Sequence, residues 1–163
     1  MIRNCSYREC DMTYIIYIAE DDVQLGRYLE KVATRCGWSV TVCGDGLELA
    51  SRLKKETALS LALIDVQMPH MNGIEVINAL FDFRHRLRLR FMSGGPLADT
   101  IAARMIADGR DMSVGRTIYK PIMLDEWIDL FESEKIELDK LTGPNRKIST
   151  ADGLSVRFER RRP

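Results

Sequence analysis

Short runs of apolar, β-branched and aromatic residues alternate along the chain with segments in which apolar residues recur every three or four positions. After the first run, Leu25, Leu29 and Val32 fall at the spacing of one helix face, and Gly37 follows where that helix would end. Similar alternations follow along the chain. They predict strands buried on both faces over residues 14–19, 38–43, 61–64, 87–92 and 117–119.

Five strand–helix repeats predict an α/β fold: a doubly wound, five-stranded parallel sheet with helices on both faces. We expect the flavodoxin-like strand order 2-1-3-4-5, in which a binding site lies at the carboxyl ends of the strands. The fourth predicted helix follows Pro96, and its apolar stripe consists of Leu97, Ile101 and Met105.

The fourth predicted strand is unusual because Arg88 and Arg90 alternate with its apolar residues. An inner strand of a parallel sheet is normally apolar on both faces. We therefore expect both arginines to lie near the start of the strand and to extend their charged ends into water. With the preceding segment 84–86 they would form a basic patch at the end of the sheet opposite the predicted site.

Composition adds few constraints. The chain has 163 residues, of which 45% are hydrophobic and 29% charged, a mix typical of one globular domain. Its formal net charge of +0 argues against a nucleic-acid partner recognised by bulk charge. We predict an N-terminal extension over residues 1–12, a domain over 13–137 and a basic, flexible C-terminal tail over 138–163.

No stretch approaches the roughly 20 apolar residues that span a bilayer. The first residues also lack the apolar core of a signal peptide. We therefore expect a cytoplasmic location and no membrane span. In that compartment the cysteines are expected to be reduced thiols: Cys5, Cys10, Cys36 and Cys43.

Polar residues stand where the inner strands end. Glu20 and Asp21 follow the first strand, and Asp65 ends the third. Ser93 ends the fourth strand, and Lys120 follows the fifth. Because these four strands are neighbours in the predicted order, their ends converge on one pocket.

That pocket would hold three carboxylates, which repel one another unless a cation compensates their charge. Lys120 supplies part of the compensation, and a divalent ion bound through oxygen atoms supplies the rest. Mg²⁺ suits such ligands. Asp65 would then act as a carboxylate nucleophile toward phosphorus, while Lys120 and the Ser93 hydroxyl contact phosphoryl oxygens.

Four strings carry a family resemblance. They are Ile-Ala-Glu-Asp-Asp at 18–22, Leu-Ile-Asp-Val-Gln-Met-Pro-His-Met-Asn-Gly at 63–73, Met-Ser-Gly at 92–94 and Tyr-Lys-Pro-Ile at 119–122. On these strings the chain resembles the response-regulator receiver domains of two-component signalling over residues 13–135. The Asp-x-x-Met-Pro-x-Met-x-Gly string is highly specific, as is its spacing to the acidic pair and to Lys-Pro.

The resemblance implies a role for each site residue. Asp65 is the phosphoacceptor, Lys120 contacts the phosphoryl group and Ser93 is the switch hydroxyl. The bond before Pro121 is expected to be cis, since X–Pro bonds take that form readily. The Mg²⁺ ligands are three carboxylates and one backbone carbonyl, those of Glu20, Asp21, Asp65 and Gln67.

The resemblance also implies partners. A sensor histidine kinase or a histidine phosphotransfer protein donates the phosphoryl group. An unknown downstream protein then binds, and we expect the face of the fourth helix, fifth strand and fifth helix to be its docking surface. We expect no enzymatic activity beyond the chain's own phosphorylation and dephosphorylation.

The chain departs from the family pattern three residues before the lysine, where family members often have Tyr or Phe. Here that position is Thr117, and Tyr119 is the nearby aromatic residue. A threonine cannot swing a ring inward, so a phosphorylation-independent interaction module stays an alternative. So does a regulatory domain separated from a cyclic-dinucleotide phosphodiesterase, because residues 92–121 look most like receivers that precede such domains.

Overall fold

The computed structural model describes residues 13–68 and 71–142. The predicted N-terminal extension with Cys5 and Cys10 lies outside the described residues, as does the predicted tail from residue 143 onward.

The described residues form a sheet of six strands and a separate two-stranded hairpin. In chain order the strands are β1 Tyr14–Ala19, β2 Trp38–Cys43, β3 Ser60–Asp65, β4 Gln67–Met68, β5 Met71–Asn72, β6 Leu87–Ser93, β7 Ser113–Val114 and β8 Ile118–Tyr119. The main sheet is parallel, in the order β2-β1-β3-β6-β7, and β8 also pairs with β6. The predicted doubly wound α/β class with its flavodoxin-like order is therefore confirmed.

Helices connect the strands. They are α1 Val23–Arg35, α2 Gly46–Leu53, α3 Gly73–Leu80, α4 Leu97–Asp108 and α5 Leu124–Thr142, with a 3₁₀ helix at Phe81–Arg86. Asp22 and Asp45 begin α1 and α2 by accepting hydrogen bonds from backbone N–H groups of the first turn. After α1, Gly37 has φ +80°, a left-handed conformation that glycine adopts without a steric penalty.

Two hydrophobic layers lie on opposite faces of the sheet. One contains Leu49 and Leu53 of α2 with Ile77 of α3, together with small residues of α4. The other contains Leu29 of α1 and Phe131 of α5. Packing on both faces explains why the inner strands are apolar along their whole length.

The fifth predicted strand differs in detail, since two short strands, β7 and β8, take its place. Pro121 follows closely and lacks a backbone N–H, so the ladder cannot continue past Lys120. The segment that follows Asp65 contains the short antiparallel β4–β5 pair, and Gly73 already belongs to α3.

The prediction for the apolar stripe of α4 is wrong. Leu97, Ile101 and Met105 are each about half exposed or more. The residues that α4 buries are Thr100, Ala103 and Ala107. These short side chains let the helix backbone lie close to α3 and β6, and the larger apolar side chains are left on the outer face.

The prediction that Arg88 and Arg90 extend into water is also wrong. Alternate residues of a strand point to the same face, and these two lie beneath α5. There Glu134, which is 1% exposed, accepts hydrogen bonds from both guanidinium groups. We call Arg88, Arg90 and Glu134 the arginine–glutamate cluster. The predicted basic patch therefore lacks these two arginines.

The helix α5 continues to Thr142, past residue 137, where the sequence predicts the domain to end. Leu138 packs in the hydrophobic layer on this face, and the Tyr14 hydroxyl donates to the Asp139 carboxylate. Among the helices of the described ranges, none is both long and apolar enough for a bilayer crossing.

Cys36 and Cys43 carry free thiols. Burial raises the pKa of the Cys43 thiol to about 12, so that group is protonated and unreactive at neutral pH.

Candidate functional site

The site lies at the carboxyl edge of the sheet. Glu20 directly follows β1, Asp65 is the last residue of β3, and Ser93 is the last residue of β6. Lys120 directly follows β8. Because these strands are parallel, their carboxyl ends meet at one edge, and four elements distant in sequence place their side chains together.

Three carboxylates gather at this edge. Glu20, Asp21 and Asp65 each offer one oxygen atom, and these atoms all lie within 4.8 Å of one another. Glu20 is 3% exposed and Asp65 is 5% exposed, whereas Asp21 is exposed. We call these three residues and Lys120 the carboxylate site. It is buried on its protein side and open to solvent at Asp21.

Lys120 joins two of the carboxylates. Its Nζ donates to Glu20 Oε2 at 2.8 Å and to Asp65 Oδ2 at 2.5 Å. Its backbone N–H donates to the carbonyl of Ser93 at 2.8 Å, and its bond to Pro121 is cis. The other oxygen of Asp65, Oδ1, accepts from the backbone N–H of Gln67 at 2.9 Å. Asp65 is thus held from both sides.

Burial and charge shift two pKa values here. Burial raises the pKa of Glu20 above its usual value, although the hydrogen bond and charge of Lys120 oppose that rise. Burial acts to lower the pKa of Lys120, but hydrogen bonds and attraction to Asp65 and Glu20 outweigh it, so the pKa of Lys120 is raised. The ammonium group is therefore firmly charged.

Ser93 contributes a buried hydroxyl group to this edge of the sheet. The residue is 2% exposed, and its Oγ has no hydrogen-bond partner within the described ranges. A buried hydroxyl without a partner is costly, so Oγ is available to a ligand oxygen. Next to it Gly94 leaves space, because a Cβ there would lie 3.9 Å from the nearest atoms, which belong to Lys120.

The side chain of Gln67 lies against the backbone of Gly95. A Cβ at position 95 would lie 2.0 Å from Gln67 Nε2, so a side chain there would displace the glutamine. The loop after Asp65 and the loop after Ser93 therefore pack tightly together. The family resemblance implies a role for the backbone carbonyl of Gln67, and nothing in the sequence indicates this contact of its side chain.

The donor set of the carboxylate site fits Mg²⁺. When all groups are ionised, three carboxylates and one ammonium leave two net negative charges. Mg²⁺ prefers oxygen ligands and keeps several waters, for which the exposed side at Asp21 leaves room. A divalent cation would also offset the repulsion that Lys120 leaves uncompensated.

Thr117 and Tyr119 do not enter the carboxylate site. They line a cleft of about 430 Å³ between α4 and β8, together with Ile101, Arg104 and Met105. Tyr119 is more than half exposed. Thr117 and Tyr119 therefore face the outer surface of the sheet edge, beside the exposed apolar stripe of α4, whereas the predicted switch hydroxyl of Ser93 is buried.

Glu134 is a buried functional partner of Arg88 and Arg90 that was not predicted from the sequence. Trp127, Phe131 and Leu138 form the buried stripe of α5, and Glu134 stands at a position of that same stripe. A glutamate within a buried apolar stripe, combined with arginines in an inner strand, is the sequence pattern that could have predicted this buried ion pair.

Comparison with known proteins gives a family match. The sequence model described as response regulator receiver domain matches residues 16–132. The response regulator receiver protein CpdR of Brucella abortus is 35% identical over 79 residues, 48% of this chain and 65% of that protein. The transcriptional regulatory protein TctD of Salmonella typhimurium is 32% identical over 113 residues, 68% of this chain and 47% of that protein. The matches thus span less than two thirds of either relative.

Solved structures agree on the fold. The crystal structure of a response regulator receiver domain protein (CheY-like) from Methanospirillum hungatei matches 79% of this chain and 96% of its own, with a TM-score of 0.64 and 22% identity. A response regulator from Colwellia psychrerythraea gives the same TM-score and identity over 76% of this chain.

Proposed function

Because this chain belongs to the response regulator receiver family of two-component signalling, we propose that it accepts a phosphoryl group on Asp65 in a Mg²⁺-dependent reaction. The proposed donor is a sensor histidine kinase or a histidine phosphotransfer protein. The phosphorylated chain then changes its binding to a downstream protein. On this proposal the receiver unit begins at residue 13 and includes α5.

One observation carries the proposal: the oxygens of Glu20, Asp21 and Asp65 converge within 4.8 Å while Lys120 bonds to Asp65. A structural ion pair would need one carboxylate for one lysine. Three carboxylates around one ammonium leave an excess of negative charge, which is costly unless the site binds a cation. The family match supplies the reaction that such a site serves.

In the proposed reaction a carboxylate oxygen of Asp65 forms a bond to phosphorus. The bond between phosphorus and the donor's imidazole nitrogen breaks, and that nitrogen keeps the electron pair and takes a proton. Phosphoryl transfer depends mainly on position and charge compensation. Lys120 compensates charge on Asp65 and on a phosphoryl oxygen, and Ser93 Oγ, which lacks a partner among the described residues, donates to another.

The proposed metal ligands are the carboxylates of Glu20, Asp21 and Asp65 and the backbone carbonyl of Gln67. When bound, Mg²⁺ supplies positive charge that neutralises phosphoryl oxygens. The chain's own residues fix the geometry: the Gln67 N–H and Lys120 hold Asp65, and Ser93 and Gly94 leave space and a hydroxyl beside it.

The proposed output surface comprises α4, β8 and the start of α5. Its exposed apolar residues include Ile101, Met105, Tyr119, Met123 and Leu124. Phosphorylation adds about 1.5 to 2 negative charges and strong hydrogen-bond acceptors. Ser93, the proposed sensor of that change, is linked to α4 by three residues, so a change at Ser93 reaches this surface by a short path.

A second candidate function is an interaction module that works without phosphorylation. The position of Thr117 favours it, because that residue lines the cleft beside α4 and has no ring that could change place. The two candidates predict different partner binding. A receiver binds its partner differently after phosphorylation, and a phosphorylation-independent module binds it equally in both states.

The test is incubation with a small-molecule phosphodonor and Mg²⁺, followed by intact mass measurement. We expect the wild type and the Asp129→Asn variant to gain one phosphoryl group and Asp65→Asn to gain none. Asp129 is a matched control because it is an exposed aspartate of α5. Unlabelled wild type, under conditions that label another receiver domain, would contradict the proposal and favour the second candidate.

A further inference from the structure

We propose that the arginine–glutamate cluster fixes α5 to β6 in a single position, so that phosphorylation rearranges α4 while α5 stays with the sheet. The fixed position of α5 follows from the contacts of the cluster alone. The statement about phosphorylation rests on the proposed function.

The contacts of the cluster are numerous and buried. Glu134 Oε2 accepts from Arg88 Nε, and Glu134 Oε1 accepts from Arg90 Nη1 at 2.7 Å and from Arg88 Nη2 at 3.4 Å. Arg88 Nη1 also donates to Ser113 Oγ at 3.2 Å. At the margin, Arg88 Nη2 lies 3.9 Å from a carboxylate oxygen of Glu137. One carboxylate of α5 thus accepts hydrogen bonds from two arginines of one strand.

General stability is a poor explanation for such a cluster. Buried ion pairs often stabilise a fold no more than apolar residues of similar size, because removing charges from water is costly. Their best-attested advantage is that they specify one register. The other buried residues of the stripe, such as Trp127 and Phe131, are apolar, and the hydrophobic effect that holds them is not directional. The hydrogen bonds of Glu134 are directional, and a shift of α5 by one residue would move this side chain about 1.5 Å along the helix axis.

A third element closes over the cluster. A Cβ added at Gly115 would lie 2.3 Å from Cδ of Arg90 and 3.1 Å from Nη2 of Arg88. The Gly115 N–H donates to the carbonyl of Leu89 at 2.9 Å. The backbone at Gly115 therefore packs directly on the guanidinium groups, which restricts the arginines to the rotamers that reach Glu134.

The attachment of α4 is different in kind. It buries the small residues Thr100, Ala103 and Ala107, and the Thr100 hydroxyl lacks a hydrogen-bond partner among the described residues. Its ion pair between Arg104 and Asp108 lies within the helix and does not join it to the sheet. Of α4 and α5, which pack on opposite faces of the sheet, α4 therefore has the weaker constraint on its position.

The first experiment needs no phosphorylation. Amide hydrogen exchange is compared among the wild type, Glu134→Gln and the matched control Glu132→Gln, which changes an exposed glutamate of the same helix paired with Lys135. Leaving two buried arginines without their anion should accelerate exchange in α5 on the order of 100-fold relative to Glu132→Gln, and exchange in β1 and β3 by no more than that. A larger acceleration in β1 and β3 than in α5, or no effect of Glu134→Gln beyond that of Glu132→Gln, would overturn the fixed position of α5.

The second experiment compares exchange before and after phosphodonor treatment. It uses the wild type and a triple variant in which Arg88→Met, Arg90→Met and Glu134→Leu replace the cluster with apolar residues. We expect the wild-type response in α4, and a response that spreads into α5 in the triple variant. A strong wild-type response in α5, or identical responses in both proteins, would overturn the inference. Failure of labelling would contradict the proposed function and leave the first experiment's result standing.

Discussion

Two buried groups of charged residues lie on the same sheet, and they differ in charge balance. The carboxylate site combines three carboxylates with one ammonium at the open carboxyl edge. The arginine–glutamate cluster, with Glu137 at its margin, combines two guanidinium groups with two carboxylates beneath α5. The first has an excess of negative charge and the second is balanced.

The difference in charge balance distinguishes a site that binds ligands from a contact that holds elements of the fold together. A charge group that the protein balances by itself has no need of a ligand, and it fixes the elements that carry it. A group left with excess charge at an exposed edge is adapted to bind a counter-ion and a charged substrate. Burial alone would not distinguish the two, since Asp65 and Glu134 are both buried.

The largest difference in stability is expected when one carboxylate in each group is neutralised. Without divalent metal, we expect Glu134→Gln to lower the free energy of unfolding by about 3 kcal/mol, because two buried arginines lose their anion. Asp65→Asn should cost less than about 1 kcal/mol or stabilise the protein, because it relieves repulsion. Urea denaturation in EDTA measures both, and a larger loss for Asp65→Asn would contradict the contrast.

Metal binding should affect the carboxylate site alone. At a Mg²⁺ concentration 100 times the dissociation constant, the wild type should gain about 2.7 kcal/mol of unfolding free energy. Asp21→Asn should reduce the gain, since it removes an exposed ligand, and Asp129→Asn should not. Thermal unfolding across a Mg²⁺ titration provides the measurement. Equal gains in all three proteins would place the metal elsewhere.

The packing over the arginine–glutamate cluster predicts a smaller effect. Gly115→Ala introduces a methyl group 2.3 Å from Arg90 Cδ, and we expect a loss of about 1–3 kcal/mol from overpacking. Gly44→Ala is the matched control, because a Cβ there has its nearest neighbour at 4.0 Å. Chemical denaturation measures the unfolding free energy of both variants. Similar values for the two would contradict the prediction and show that Arg90 moves aside freely.

The smallest effect is expected where an ion pair is exposed. Glu48 and Arg52 are separated by one helical turn, with 3.1 Å between the charged atoms, and both side chains are substantially exposed. Solvent screens such pairs, so Glu48→Gln should change the unfolding free energy by about 0.5 kcal/mol or less. A loss comparable to that of Glu134→Gln would mean that burial does not govern the cost.

Much of the sheet and of the edge site could be predicted from sequence, because both depend on local signals. Apolar runs identify the inner strands, and candidate residues such as Asp65 and Lys120 directly end or follow a strand. The parallel strand order then brings these residues together without any knowledge of side-chain packing.

The errors concern side chains whose partners are distant in sequence. Arg88 was expected in water because its anion, Glu134, is 46 residues away on another element. Met105 was expected in the core because it is large and apolar. The buried face of α4 instead consists of small residues, a pattern that hydrophobic periodicity does not identify.

The central claim is that Asp65 carries the phosphoryl group, and chemical mapping tests it most directly. Borohydride reduces an aspartyl phosphate to homoserine, which peptide mass spectrometry locates after phosphodonor labelling in Mg²⁺. We predict homoserine at position 65 and unchanged aspartates at 21 and 22. Homoserine at another position, or a stable label with no homoserine at position 65, would contradict the account.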